Sequence, residues 1–203
     1  MSEIIKTYDE NAEILAQKFL GLTFEQAHPD LEKHFPYKRP MAMADIGAGA
    51  GRDALALAGL GHYVMAVEPS RGLRKIGEAH TKGGNVIWAD DALPDLASIS
   101  TYPQKYDFIL CNAVWMHLPP EQRPLALAAM SGLLTRFGRI YIKAFDGTGQ
   151  QREGRAVYPF HPDEFKGMAA HAGLRLAFQD EQKDLLGKQD VRWYAARLDR
   201  IGF

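Results

Sequence analysis

Residues 43–53, Met-Ala-Asp-Ile-Gly-Ala-Gly-Ala-Gly-Arg-Asp, constrain this chain more than any other stretch. A short apolar run stops at Asp45 and Ile46, glycines follow at 47, 49 and 51, and a helical pattern begins at once. That order predicts a strand, a tight turn and a helix N-terminus, the place where a parallel α/β sheet holds an anionic or zwitterionic ligand. Gly47, Gly49 and Gly51 let the backbone turn sharply and come close to a ligand that a Cβ would push away. Asp45 puts a carboxylate at the same turn. A pyrophosphate would be repelled there; a ligand with an amino group would be welcomed.

From this turn the pattern alternates. Strands are predicted over residues 41–46, 63–67, 86–89, 106–112 and 139–145, with helices over 52–60, 70–80 and 119–134. Near-continuous apolar strands separated by helices indicate a parallel sheet covered on both faces. A further helix, 161–172, has Pro162 in its first turn and Gly173 just past its end. Two strand-like runs, 174–180 and 191–198, are separated by ten residues. Ten polar residues cannot hold an ordinary crossover helix, so this pair should be antiparallel. Seven strands result, mostly parallel, with an antiparallel C-terminal hairpin.

Ahead of the sheet, Ile5, Tyr8, Ala12, Leu15 and Phe19 recur at helical spacing, and Thr7 with Glu10 has capping-box spacing, predicting a helix over 7–19. Thr23 with Gln26 can open a second helix that Pro36 must stop. The division expected is a helical cap, residues 1–38, and one α/β domain, residues 39–203, with the cap closing over the glycine turn and Tyr8 pointing inward. The loop 146–160 leaves the C-terminal end of the fifth strand, where loops line a ligand crevice.

The chain has 203 residues, 46% apolar and 24% charged, with a formal charge of −1, which fits a globular domain with no general pull toward nucleic acid or anionic membrane. A single cysteine, Cys111, lies in an apolar run and has no partner for an internal disulfide. Charges at Glu3, Lys6, Asp9 and Glu10 interrupt any signal-peptide core, and no apolar run reaches the roughly 20 residues of a membrane span. The location expected is the cytoplasm.

Glu68 ends the second strand, 21 residues after Gly47 and just before Pro69. A carboxylate there is placed to accept from both hydroxyls of a ribose. Asp90 or Asp91, directly after the third strand and leading into Ala92, can accept from an adenine amine; Asp91 is the better placed. A dinucleotide site wants Gly-x-Gly-x-x-Gly and a diphosphate, whereas this chain has Gly-x-Gly-x-Gly behind Asp45. Adenine, ribose and an amino-acid end together describe S-adenosylmethionine.

The sequence resembles a class I S-adenosylmethionine-dependent methyltransferase of the small bacterial type grouped as methyltransferase type 11. Asp45-Ile-Gly47-Ala48-Gly49-Ala-Gly51 is similar to the family's glycine motif, and Val67-Glu68-Pro69-Ser70 to its ribose-binding segment. Asp91-Ala92-Leu93-Pro94 resembles the adenine-side motif. Residues 108–118, with Asn112, Ala113 and His117, resemble the fourth-strand segment that lines the methionine side of the cofactor. The resemblance covers residues 41–144 and, by topology, the final hairpin; it implies a Rossmann-like methyltransferase fold that binds S-adenosyl-L-methionine. One departure is Thr135-Arg-Phe-Gly-Arg139, where the family usually has two adjacent glycines.

Methyl transfer from a sulfonium requires mainly in-line positioning, because the leaving group is neutral. A base helps only when the acceptor is protonated at working pH. The absence of an obvious triad is therefore no argument against catalysis. His117, held before Pro119 and Pro120, is the residue expected to touch both cofactor and acceptor and to orient or deprotonate the acceptor. Trp115, Lys143, Arg155 and Tyr158 are candidates for an acceptor pocket suited to an apolar or aromatic molecule with an anionic group. The other histidines show no metal-ligand spacing. A small-molecule O- or N-methyltransferase, monomeric or homodimeric, is the leading reading. An RNA or DNA methyltransferase lacks support in the charge balance and in Asn112-Ala-Val-Trp115, which is not the Asn-Pro-Pro-Tyr-like stretch of adenine methyltransferases. A non-catalytic cofactor-binding partner subunit is the third reading.

Overall fold

The computed structural model describes residues 2–146, 155–183 and 191–202. Strands β1 (Ala42–Ile46), β2 (Tyr63–Val67), β3 (Val86–Ala89), β4 (Tyr106–Asn112), β5 (Leu134–Phe145), β6 (Leu174–Lys183) and β7 (Arg192–Arg200) form one sheet in the order β3-β2-β1-β4-β5-β7-β6. The first five are mutually parallel. β7 runs antiparallel to both neighbours, inserted between β5 and β6. This is the Rossmann-like α/β methyltransferase fold with its inverted C-terminal strand.

The strand alternation sorts the core into two faces. Ala44, Ile46, Ile109, Cys111, Ile140 and Ile142 pack with Ala126, Leu127 and Met130 of helix α6 (Arg123–Gly132, numbering all helices in chain order) and with Phe165 of α7 (Glu164–Met168). On the other face Met43, Phe108, Leu110 and Tyr141 meet Ala54 and Leu57 of α4 (Arg52–Gly59). Each fully buried Leu, Ile or Phe there contributes roughly 1.5–3 kcal/mol relative to exposure.

The N-terminal segment departs from expectation in two ways. The single helix predicted over 7–19 is two, α1 (Ser2–Glu10) and α2 (Ala12–Leu20), broken at Asn11. Thr7 cannot cap a helix that already began at Ser2; its hydroxyl donates to the Glu3 carbonyl instead. The capping box at Thr23 and Gln26 does form and opens α3 (Phe24–Ala27), followed by a 3-10 turn, Leu31–His34. Phe24 and Leu31 are buried in the α4-side core, and Arg139 donates to the carbonyls of His34 and Phe35. The second half of the expected cap is therefore packed into the sheet's own core.

α1 and α2 pack on α5 (Arg71–His80), where Ala12, Leu15 and Ala16 meet Leu73. Asp9 secures the contact by accepting from the Ser70 hydroxyl and the Gly72 amide, both at 2.7 Å. After β4, a 3-10 turn and α6 replace the longer helix predicted over 119–134. β5 begins at Leu134, five residues earlier than predicted, and the departure from the two-glycine pattern is absorbed there. Tyr106 pairs with Leu134 but Phe108 with Arg139, so residues 135–138 bulge out of the ladder. A Cβ on Gly138 would lie 2.9 Å from the Tyr106 carbonyl, so one glycine meets the need of this turn. The predicted helix over 161–172 is shorter, α7 plus a 3-10 turn, Ala170–Ala172. No helix among the described residues is long and apolar enough to cross a membrane.

Candidate active site

The C-terminal ends of β1, β2, β4 and β5 open into one cavity of about 300 Å3, roofed by α1 and α2. Its wall on the β1 side is the glycine turn. The amides of Gly47 and Ala48 donate to the Val67 carbonyl at 2.8 and 3.0 Å, which folds the turn over the end of β2. Gly47 has φ +77° and a Cβ there would fall 2.2 Å from Cγ2 of Val114. No other residue allows β1 and the segment after β4 to come this close. Ala113, next to it, is a non-glycine residue at φ +59°, and its amide donates to the Lys143 carbonyl at 2.7 Å. Backbone held in that region is a feature of sites whose surroundings over-determine it.

Glu68 lines the cavity at the end of β2. Its carboxylate accepts from the Gly49 amide at 2.9 Å and the Ser70 amide at 2.8 Å, joining the glycine turn to the start of α5. Burial raises its pKa from 4.5 to about 7 despite those two bonds. Asp45 shares the α4-side face of β1. Burial, then the nearby Asp53 charge, push its carboxyl well above the usual range. Its Oδ2 is buried without a hydrogen-bond partner among the described residues.

The β4–β5 end is built differently. Asp53, in the first turn of α4, accepts from Nε and Nη2 of Arg52 at 2.6 and 2.9 Å and from Nδ2 of Asn112 at 3.2 Å, and pairs with Nε2 of His28 at 3.0 Å. Burial alone would raise Asp53; His28 and Arg52 outweigh it and keep the carboxylate well below its usual range. Lys143, beside Asn112 in the β4–β5 register, is buried and donates to the Ala27 carbonyl at 2.6 Å. Burial, and then the Arg52 charge, lower its pKa from 10.5 to about 8.

The third wall is the 3-10 turn Trp115–His117. Nδ1 of His117 lies 2.8 Å from the Ala156 carbonyl, which can only accept, so the proton is on Nδ1. Nε2 is left as an acceptor and lies 3.1 Å from the Tyr8 hydroxyl. Arg155 donates to that hydroxyl at 3.0 Å. Burial lowers the His117 pKa below 6.5, so the ring is neutral at pH 7.

Of the residues singled out in the sequence, Tyr8, Gly47, Ala48, Gly49, Glu68, Pro69, Asn112, Ala113, His117, Lys143 and Arg155 line this cavity. Gly51 shapes the turn from behind, in left-handed conformation against Thr81 and Trp88. Asp90, Asp91 and Ala92 lie off the cavity. Asp90 is exposed and paired with Arg74, while Asp91 spends both oxygens on the amides of Ala92 and Ile99. Trp115 is fully buried in the core with its Nε1 donating to Glu164, so it supports the wall from behind and does not form it. Tyr158 is half-buried, and its amide fixes the Met116 carbonyl. Residues 147–154 of the loop after β5 lie outside the described residues.

Several contributors were not singled out in the sequence: Arg52 and Asp53 in the helix start, Phe19 and Lys18 in α2, and the aromatic pair Phe145 and Trp193. Asp53 was detectable in principle, being a carboxylate two residues after the last glycine of the turn. Trp193 was not, because only the insertion of β7 beside β5 brings it to the cavity.

A family profile described as "Methyltransferase domain" matches residues 43–138, from β1 into the start of β5. Among solved structures, Burkholderia thailandensis 1,6-didemethyltoxoflavin-N1-methyltransferase, with bound 1,6-didemethyltoxoflavin and S-adenosylhomocysteine, is 20% identical with a TM-score of 0.69 over 98% of this chain and 86% of that one. An S-adenosylmethionine-dependent methyltransferase from Methanosarcina mazei is 13% identical with a TM-score of 0.70, covering 86% of this chain and 98% of that one. Magnesium protoporphyrin IX methyltransferase from Synechocystis PCC 6803 is 15% identical with a TM-score of 0.63, covering 98% and 82%. No curated protein matches the sequence. The chain thus shares the Rossmann-like methyltransferase fold of these proteins, and the matched profile spans a little under half of it.

Proposed function

We propose that this protein transfers the methyl group of S-adenosylmethionine to an O or N atom of a small-molecule acceptor, with His117 as the residue that meets both. The observation that carries this is the convergence of the glycine turn, the buried Glu68 carboxylate and the neutral His117 imidazole on one cavity. The orphaned Oδ2 of Asp45 beneath the turn fits a ligand that brings a cation. In this reading Glu68 accepts from the ribose hydroxyls, while Asp45 and the turn carbonyls hold the ammonium, directly or through water. Asn112 and Ala113 line the methionine side, and Pro69 and Leu73 serve the adenine end in place of residues 90–92. When bound, the cofactor supplies an electrophilic methyl group on a sulfonium.

The chain's own part is binding, orientation and proton handling. Tyr8 and His117 face each other across the cavity mouth, so α1 can exclude water from the reacting atoms. The tautomer fixed by Ala156 leaves a lone pair on Nε2, engaged by the Tyr8 hydroxyl, and an acceptor whose hydroxyl or amine displaces Tyr8 can pass its proton there. The Burkholderia 1,6-didemethyltoxoflavin-N1-methyltransferase and the Synechocystis magnesium protoporphyrin IX methyltransferase share this fold, which supports a small-molecule acceptor here. Calorimetric titration with S-adenosylhomocysteine and with NADH tests the reading. Micromolar binding of the first and no comparable binding of the second is expected; preferential NADH binding would overturn it.

A further inference from the structure

We infer that Lys143 is the anchor for a carboxylate on the methyl acceptor, and that the acceptor is a flat, apolar molecule seated between Lys143 and the aromatic pair Phe145 and Trp193. The inference rests on the methyl-donor reading above.

A buried cation is ordinarily held by a carboxylate, because an unpaired charge away from water is costly. Arg52 follows that rule, with both of its forks on Asp53. Lys143 does not. It is 6% exposed, and no carboxylate among the described residues lies within ion-pair distance of its Nζ. Its hydrogen bond is to a neutral carbonyl, that of Ala27, and Nζ lies 5.8 Å from the Trp193 ring centroid. An ammonium has three donors, so capacity for an anion remains. Asp53 is close enough to act on it, but that carboxylate is already held by Arg52, Asn112 and His28.

The sheet order separates this ammonium from the donor's end of the cavity. The glycine turn stands on β1, while Lys143 stands on β5 and Trp193 on β7, two and three strands away. At strand spacings of about 4.8 Å these are offsets of roughly 10 and 14 Å. The donor, running from Glu68 on β2 to Asn112 on β4, stops short of the β5–β7 wall of the cavity in this reading. There Phe145 and Trp193 pack edge to face with centroids 5.3 Å apart, forming an apolar wall beside the ammonium.

The test uses the protein saturated with S-adenosylhomocysteine and two probes of one shape, benzoate and benzamide. At pH 7 benzoate should bind at least fivefold more tightly than benzamide. Lys143→Met should bring the two within twofold, with affinity for S-adenosylhomocysteine within threefold of the original. A benzoate preference that survives in Lys143→Met, or that is missing in the unaltered protein, would overturn the inference. So would a tenfold loss of S-adenosylhomocysteine affinity in the variant, since Lys143 would then hold the cofactor's own carboxylate. Failure of the unaltered protein to bind S-adenosylhomocysteine would instead overturn the methyl-donor reading. Should Lys143→Met not fold, a pH series on the unaltered protein decides. Benzoate stays ionised throughout, Arg52 stays protonated and Asp53 ionised, and His117, across the cavity, is already neutral. His28, behind Asp53, and Lys18, Arg155, Tyr8 and Glu68, also on the cavity wall, are the other titratable groups; Glu68, near 7 in the free protein, is held ionised on the ribose of the saturating S-adenosylhomocysteine in this reading. The preference should fall toward unity between pH 7 and pH 9.5 as Lys143 loses its proton; a constant preference would overturn the inference.

Discussion

Replacing Glu68 with glutamine should make stability less dependent on pH and cofactor binding weaker. Glu68 titrates near 4.5 when unfolded and near 7 when folded, because burial disfavours its charge. A raised carboxylate pKa means that the folded state holds the proton more tightly. Its cost is absent below pH 4.5, grows as pH rises through the interval, and is complete above 7. At about 1.4 kcal/mol per unit, the full cost is roughly 3 kcal/mol. Glutamine has the shape of the acid and cannot ionise, but its NH2 cannot accept, so either the Gly49 or the Ser70 amide loses its acceptor at a cost of about 1–3 kcal/mol. The variant should therefore be about 1–3 kcal/mol less stable than the original near pH 4.5, and should recover roughly 3 kcal/mol relative to it by pH 8.5 without ligand.

The same substitution removes a charged acceptor from the ribose position, costing about 1.5–3 kcal/mol of binding, or roughly 10- to 150-fold in affinity for S-adenosylhomocysteine. Urea unfolding at pH 4.5, 6, 7 and 8.5 measures the first effect and calorimetry the second. Parallel stability curves for the two proteins would refute the assignment of a burial penalty to Glu68. An affinity changed by less than twofold would remove it from the ribose.

Three further outcomes are expected. His117→Asn should lower the transfer rate about tenfold or more while leaving S-adenosylhomocysteine affinity within threefold, once an acceptor is known; loss of affinity alone would make it a cofactor contact. Binding at pH 7 should release about half a proton from Glu68, seen as a calorimetric enthalpy that differs between phosphate and Tris, and the release should vanish in Glu68→Gln. Amide exchange over α1 and α2 should slow on adding S-adenosylhomocysteine, since these helices roof the cavity; equal exchange would make them permanent packing.

The sheet was legible because its signals are local. A run of apolar residues that ends in glycines or a carboxylate gives a strand and its C-terminal boundary, and β2, β3 and β4 lie at the predicted residues. The glycine turn and Glu68 were legible for the same reason, each being specified within a few residues. Helix lengths were less so. Asn11 breaks α1 from α2 within a continuous helical pattern, and its side chain closes the first helix on the Thr7 carbonyl. Asp91 illustrates a different limit. Its position after β3 fits the expected adenine contact, and its two oxygens also accept from the Ala92 and Ile99 amides, a local pairing that no pattern reveals.

What no local pattern carries is the division of the cavity by charge. Glu68, on the β2 wall, is an acid raised toward neutrality, as is Asp45, beneath the glycine turn and outside the cavity lining; Lys143, on β5, is a base lowered toward it. Each departs from its ordinary value in the direction that burial of an uncompensated charge imposes. Opposite shifts at opposite ends mean that these charges do not neutralise one another across the cavity. A donor with an ammonium and a sulfonium is complementary to the acid end, and an anionic acceptor to the basic end. Exchanging the two would place cation against cation and acid against acid. In the function proposed above, this charge arrangement puts the donor toward β1 and β2 and an anionic acceptor toward β5.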